Sequence, residues 1–218
     1  YRQKNYMESL RNYSALESIA EVKDNILAAL AGQMRSNYKL QNYDATLVNV
    51  QKILDASSAD KDLVNEAHLL AGKCHYIKND LGNARAEFAI VSKRTNSEMT
   101  AESKYFLAEI EFKSNNYKES QKIIFEIQKQ VPSYDFWIAK GFVLLGDNYL
   151  AQNDMFQAKE TYKSIVENYE KGPNDPEDIR EMAKQKLDAL TASDNEKNKK
   201  PEESKNSDDE NDKEGQGE

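Results

Sequence analysis

The stretch FVLLGDNYLAQNDMFQAKETY, residues 142–162, decides the fold. Phe142, Leu145, Gly146 and Tyr149 fall at three- and four-residue steps, which puts them on one face of a helix. The pattern breaks at Gln152-Asn153-Asp154 and a second helical run opens at Met155-Phe156. Asp154 is suited to accept first-turn N–H groups as a cap, and Gln157 stands three residues later as in a capping box. Ala158 and Tyr162 are four apart and share a face, the small residue letting a neighbouring helix come close. The stretch therefore reads as two helices joined by a tight turn.

Working outward, the same arrangement recurs. Helix starts are marked by Asn5, Asn42, Asp80, Asn116 and Asp154, and Glu8 and Glu119 repeat the capping-box position of Gln157. Four residues after each start stands a small residue: Ser9, Thr46, Ala84, Ser120 and Ala158, at spacings of 37, 38, 36 and 38. Four residues further on come Tyr13, Val50, Phe88, Ile124 and Tyr162. Gly and Pro are scarce from 5 to 190, apolar residues recur at helical steps, and no alternating strand pattern stands out. A fixed period of this size indicates stacked helical hairpins, each burying its apolar face against the next.

These residues resemble the tetratricopeptide repeat, whose first helix reads W-x2-L-G-x2-Y and whose second reads A-x3-F before a closing proline. The best copy is Phe142-x2-Leu145-Gly146-x2-Tyr149 with Ala158-x3-Tyr162. Next is His68-x2-Ala71-Gly72-x2-His75 with Ala84-x3-Phe88. A third is Lys104-x2-Leu107-Ala108-x2-Glu111 with Ser120-x3-Ile124, closed by Pro132. The first full copy has Leu30, Gln33, Met34 and Asn37 at the consensus places of its first helix, followed by Thr46-x3-Val50. Ser9-x3-Tyr13 stands alone as a second helix. The likeness covers about residues 5–170, and five copies in phase are a strong signal. The period exceeds the family's 34 by two to four residues, so loops or helix ends should be longer.

The resemblance implies an all-α, right-handed superhelical solenoid with a C-terminal capping helix. The expected domain spans 1–190: a second helix of a partial repeat at 5–20, repeats at about 22–56, 61–94, 98–131 and 134–171, and a capping helix at 176–190. Asp175-Pro176-Glu177-Asp178 reads as the sharp start of that helix, and Ile179, Met182, Ala183, Leu187 and Leu190 supply its apolar face. The other end carries no such cap. Either this is the C-terminal end of a longer array or another subunit covers the N-terminal edge.

From Ser193 to Glu218 there is no hydrophobic residue, and from Thr191 on ten acids face five lysines. A segment with nothing to bury cannot offset its ordering entropy, so 191–218 is expected to be a disordered acidic and Lys-rich tail. It reads as a solubilising terminus or linker, with an acidic interaction tail as the alternative.

The composition excludes several classes of function. Of 218 residues 39% are hydrophobic and 31% charged, and the net charge of −8 argues against a broad nucleic-acid footprint. Mean hydropathy is −0.87 and no apolar run is long enough to cross a membrane. The single cysteine, Cys74, leaves the redox compartment open. The chain starts at Tyr1, so a processed or truncated start and an upstream signal sequence stay open. The Lys/Asn/Tyr-rich composition and charged tail resemble bacterial envelope-associated repeat proteins, a lean towards the periplasm or cell envelope with the cytoplasm still open.

Candidates for chemistry are few. His68 and His75 are seven residues apart, about 10 Å along a helix, too far to share a metal, and both read as structural. Cys74 reads as a buried, inert thiol. No Gly-rich phosphate loop and no G-x-S-x-G motif occurs. Trp137 reads as packed against Ile124 and Ile127, with an exposed partner anchor as the alternative. No catalytic residue, metal or cofactor is expected.

In the tetratricopeptide repeat family the first helices line a concave groove. The resemblance implies groove positions at Ala31, Arg35 and Tyr38; Leu69, Lys73 and Tyr76; Tyr105, Glu109 and Phe112; and Val143, Asp147 and Leu150. The last of each set makes a largely aromatic stripe. The middle of each, Arg35, Lys73, Glu109 and Asp147, changes sign half-way, which would orient an oppositely dipolar peptide or helix; the alternative is a row of solvated charges. Leu69, Tyr105 and Val143 depart from the basic row that chaperone-binding members use for a terminal carboxylate, so no such clamp is expected. The expected function is a non-catalytic scaffold that binds a peptide, helix or protein surface in the groove. The alternatives are an assembly segment of a larger envelope protein acting through self-contacts at the N-terminal edge, and an enzyme subunit whose active site lies elsewhere.

Overall fold

The computed structural model describes residues 2–94 and 97–198. These form ten helices and no strand: α1 Arg2–Ile19, α2 Lys23–Lys39, α3 Tyr43–Leu54, α4 Lys61–Ile77, α5 Leu81–Ser92, α6 Glu98–Lys113, α7 Tyr117–Gln128, α8 Asp135–Ala151, α9 Met155–Asn168 and α10 Ile179–Asn198. Each helix packs chiefly on its neighbours in sequence, and first helices also touch across the array: α2 on α4, α4 on α6, α6 on α8. That is an all-α solenoid, in which α2–α3, α4–α5, α6–α7 and α8–α9 are the hairpins.

The small residues Thr46, Ala84, Ser120 and Ala158 are all fully buried, because each is the point where the second helix approaches a neighbour. The large residues four further on fill the core beside them. A Cβ placed at Gly72 would lie 2.7 Å from the Phe88 ring, and one at Gly146 would lie 2.3 Å from the Tyr162 ring. Both glycines are required because an aromatic ring lies flat on their helix backbone. Ala and Ser at Ala108 and Ser120 achieve the same approach in the third hairpin with Ile124 in place of a ring.

The hairpin turns are built by a device not read from the sequence. Gln41, Asn79, Asn115 and Asn153 occupy the same place in the four hairpins, and all have φ between 60° and 63°. Each N–H bonds back three residues, and the next residue's N–H bonds back five, as in Asp154 to the Tyr149 carbonyl at 2.9 Å. This is a Schellman ending, and the left-handed residue favours Asn among side-chain-bearing types.

Capping departs from expectation. Asp80 and Asp154 accept the N–H of Asn83 and Gln157, at 3.3 and 3.0 Å. Asn42 and Asn116 make no such bond. Their side-chain amides instead donate backwards, to Asn37 at 3.4 Å and Glu111 at 2.9 Å, tying the turn to the helix before it. Asn5 lies inside α1, which starts earlier than the expected 5–20. Caps that were not expected are Asp60, Ser97 and Asp178.

The last helix also differs from expectation. It starts at Ile179, not at Pro176, and runs to Asn198, past the expected end at 190. Asp178 is its cap, while Asp175 closes the preceding turn by accepting the Gly172 N–H at 2.5 Å and the Tyr169 hydroxyl. Ile179 and Ala183 are buried against the final hairpin, with Met182, Leu187 and Leu190 beside them. The part of the expected tail beyond 198 lies outside the described residues.

Trp137 is buried, 5.7 Å from the Tyr105 ring and 4.9 Å from that of Phe136, in the same core as Ile124 and Ile127. Cys74 is buried, and burial pushes its thiol up to about 11. His68 meets Glu87 at 2.7 Å and His75 meets Asp80 at 3.2 Å, so each histidine ties a first helix to its hairpin partner or turn. Among the described residues no group of His, Cys, Asp and Glu could hold a metal ion, and no helix is long and apolar enough to cross a membrane.

Candidate functional site

The first helices α2, α4, α6 and α8 are the elements on which all twelve groove positions fall. The structure divides these positions into three rows of different character. The first row, Ala31, Leu69, Tyr105 and Val143, is buried. Leu69 packs with Phe88 and Ile110, and Tyr105 lies among Phe106, Trp137 and the Lys140 ammonium. This corrects the expectation that Leu69, Tyr105 and Val143 face a ligand: adjacent first helices pack closely enough to enclose that row.

The second row carries the change of sign, and its charges are already engaged. Arg35 of α2 makes a two-pronged pair with Glu66 of α4, at 2.6 and 2.5 Å. Lys73 of α4 meets Glu102 of α6 at 2.5 Å. Asp147 of α8 takes the Lys186 ammonium of α10 at 2.7 Å and the Tyr162 hydroxyl at 2.6 Å. Burial, and after it the charge of Glu109 and a hydrogen bond to that carboxylate, raise the Tyr76 pKa far above an ordinary phenol's. Arg35 and Lys73 therefore form rungs between neighbouring first helices, and Asp147 ties α8 to α9 and to the last helix α10. Hydrogen bonding to Glu66 raises the Arg35 pKa further, so the guanidinium stays charged at any accessible pH. A peptide entering the groove would not meet the bare dipole that the residue signs alone suggest.

Exposed ion pairs contribute about 0.2–1 kcal/mol each. Arg35 keeps half its side chain in solvent, so its rung fixes helix register more than it stabilises the fold. Lys73 and Glu102 are more enclosed and hold their geometry more tightly.

The third row is the aromatic stripe. Tyr38, Tyr76 and Phe112 are half-buried and Leu150 is exposed. The Lys73 ammonium stands 5.5 Å over the Tyr38 ring, and that of Lys113 stands 4.1 Å over the Tyr76 ring while bonding its hydroxyl. The Tyr38 pKa is raised far above an ordinary phenol's, chiefly by burial. These cations hold the rings in fixed orientations. Tyr38 also meets Tyr43, and Phe112 meets Tyr117, at 6.1 and 5.8 Å, so the residue opening each second helix braces the stripe.

Lys113, Lys140, Glu66 and Glu102, which engage Tyr76, Tyr105, Arg35 and Lys73, were not singled out from the sequence. The signal available was an opposite charge two residues before the consensus tryptophan place of the next repeat, as in Glu66 before His68 and Glu102 before Lys104.

The described solenoid and its buried small-residue positions coincide with a tetratricopeptide repeat-like domain, whose family model matches residues 1–192. The chain belongs to this family. A solved structure with the same fold is that of BtubC (BKLC) from P. vanneervenii, similar over 97% of each chain with a TM-score of 0.60 and 13% sequence identity. No curated protein sequence matches. Tetratricopeptide repeat-like domains are helical scaffolds, typically non-catalytic, and their usual partners are proteins.

Proposed function

We propose that the protein is a non-catalytic interaction scaffold that binds a peptide, helix or protein surface along its first-helix groove. The carrying observation is the stripe of Tyr38, Tyr76, Phe112 and Leu150, apolar side chains left partly in solvent along four successive first helices. Rings already held by neighbouring cations lose little freedom on binding, which favours them as anchors. With the charged row paired internally, recognition rests on shape and aromatic contact more than on a peptide's dipole.

The test is to identify a protein retained by the full chain, then titrate it against variants by calorimetry. Tyr38→Ala with Tyr76→Ala should weaken it by about tenfold or more, whereas Phe156→Ala, an exposed phenylalanine on the second helix α9, should not. Equal affinity for the wild-type chain and the double variant overturns the groove reading.

A further inference from the structure

Around the start of α8 the chain brings aromatic and acidic side chains into one cleft. Tyr134 and Asp135 open that helix, Phe136 and Trp137 follow in its first turn, and Tyr169 comes from the end of α9. Tyr134, Phe136, Trp137 and Tyr169 wall a cavity of ≈ 290 Å³. Phe136 and Trp137 stand edge to face at 4.9 Å and 81°, and both are buried, as is Tyr169, so the walls are set before any ligand arrives.

Four carboxylates share the lining, Glu98 from α6 with Asp135, Glu170 and Asp175, and no lysine or arginine lines it among the described residues. Helix geometry accounts for some of these acids. Glu98 and Asp135 stand in first turns, where the helix dipole favours them, and Asp175 closes the turn at Gly172. It does not account for Glu170, which lies just past the end of α9, where the dipole disfavours a carboxylate. Glu98 and Glu170 are exposed and take no ion-pair partner among the described residues. Two ammonium groups nearby are engaged elsewhere, Lys171 with Asp178 at 3.9 Å and Lys140 with Glu177 at 2.8 Å. Lys140 also stands 5.6 and 5.7 Å over the Phe136 and Trp137 rings, so these rings already draw one cation. Burial first, then the bond to Asp175 and the charges of Asp175, Asp178 and Asp135, raise the Tyr169 pKa far above an ordinary phenol's. The walls hold one further unmet group. Trp137 is 8% exposed and its indole N–H has no hydrogen-bond partner among the described residues, a costly state for a buried donor.

We infer that this cleft binds the side chain of an arginine on an extended segment of a partner protein. A guanidinium is planar and weakly hydrated, stacks on aromatic rings and pairs with carboxylates through two bonds at once. It therefore suits rings and acids in one cavity better than the compact, strongly hydrated ammonium of lysine. The segment's main-chain carbonyls supply the kind of acceptor that the Trp137 N–H lacks. Free arginine would bring its own carboxylate against four others. None of these residues belongs to the three rows on the first helices, so the cleft and the groove reading stand or fall separately.

The probe is a capped Gly-Arg-Gly peptide titrated into the full chain. Trp137 is the only tryptophan, so its fluorescence and its indole N–H resonance report on the cleft. Saturable one-to-one binding is expected, weakened by salt. Replacing arginine by lysine should weaken it severalfold, and replacing it by citrulline, which keeps the shape without the charge, by about tenfold or more. Glu98→Gln with Glu170→Gln should weaken the arginine peptide by about tenfold, since two ion pairs are lost. Glu8→Gln with Glu160→Gln, the same change of charge at exposed positions on α1 and α9, should not. All four glutamates are exposed, so circular dichroism should show both variants folded. Absence of saturation at tens of millimolar peptide overturns the proposal. So does equal affinity of the arginine peptide with the lysine or the citrulline peptide, or unchanged affinity in the Glu98→Gln, Glu170→Gln chain. Equal affinity for free L-arginine overturns a partner's side chain as the occupant.

Discussion

Gly146→Ala tests the close approach on which the final hairpin depends. The new methyl carbon would stand 2.3 Å from Cε1 of Tyr162, 2.7 Å from Cζ and 2.8 Å from Cδ1. Carbon atoms prefer about 3.5–4.0 Å, so the ring would have to withdraw by roughly 1.2 Å. It has nowhere to go: Tyr162 is fully buried, and its hydroxyl is held at 2.6 Å by Asp147, which Lys186 also grips at 2.7 Å. Overpacking of this kind costs about 1–3 kcal/mol, and straining the hydroxyl's bond to a carboxylate adds about 1.5–3 kcal/mol if that bond is lost. Against this, replacing glycine by alanine in a helix gains about 1 kcal/mol. The net expectation is a loss of about 1–3 kcal/mol, a fall in Tm of roughly 2–12 °C for a domain of this size. Urea unfolding followed by Trp137 fluorescence reports it directly, because Trp137 lies in the same core cluster. Gly141→Ala is the internal control, its Cβ meeting only Ile124 at 3.3 Å and Ile127 at 3.7 Å, and should be near neutral. In a Tyr162→Leu background the Gly146→Ala loss should shrink or reverse. A Gly146→Ala chain as stable as wild type, or a loss unchanged without the Tyr162 ring, refutes the reasoning.

Further outcomes can be stated. Gln41→Gly should raise stability by about 1 kcal/mol in urea unfolding, because Gln41 alone among the four hairpin-turn positions is neither Asn nor Gly at positive φ. Arg35→Glu with Lys73→Glu sets like charges at Glu66 and Glu102, so Tm should fall, and the difference from wild type should narrow in high salt. Cys74 should resist iodoacetamide at pH 8 in the native chain and react once unfolded, since its thiol pKa is raised to about 11. The sign follows: the folded state holds this proton more tightly, so its contribution is intact below the unfolded thiol's pKa of about 8.5 and is lost as pH rises from there towards 11. A stability profile flat across that alkaline range in which a Cys74→Ala chain behaves identically would count against the burial assignment.

Much of the fold was legible because it rests on short-range, repeated chemistry. Ala84, Ser120 and Ala158 are small because a helix passes within contact distance, and that demand recurs at one place in each repeat, which makes it visible without a structure. The solitary Ser9-x3-Tyr13 was readable for the same reason, and the half-exposed Tyr13 ring is its physical counterpart. The turns were half-legible. An Asn beside a cap satisfies two descriptions at once, and Asn79, Asn115 and Asn153 serve the end of the preceding helix while Asp80 and Asp154 serve the start of the next. Asn42 and Asn116 show how side-chain chemistry alone misleads, since an amide can donate backwards as readily as accept forwards, and only the backbone's path decides.

The groove charges were the least legible, and the reason is distance along the chain. Arg35 and Glu66 are 31 residues apart, Lys73 and Glu102 are 29, and Asp147 and Lys186 are 39. A charge read in isolation belongs to the solvent or to a ligand; the stacking of first helices gives it a neighbour instead. Residues four apart on one helix face can be paired on paper, but pairs across a hairpin depend on the exact rise and rotation between repeats. The aromatic row escapes this ambiguity because a ring needs no counterion. Tyr38, Tyr76 and Phe112 are left partly in solvent beside those rungs. A partner selected by that row should therefore lose little affinity as ionic strength rises, whereas one steered by the charged row would be released.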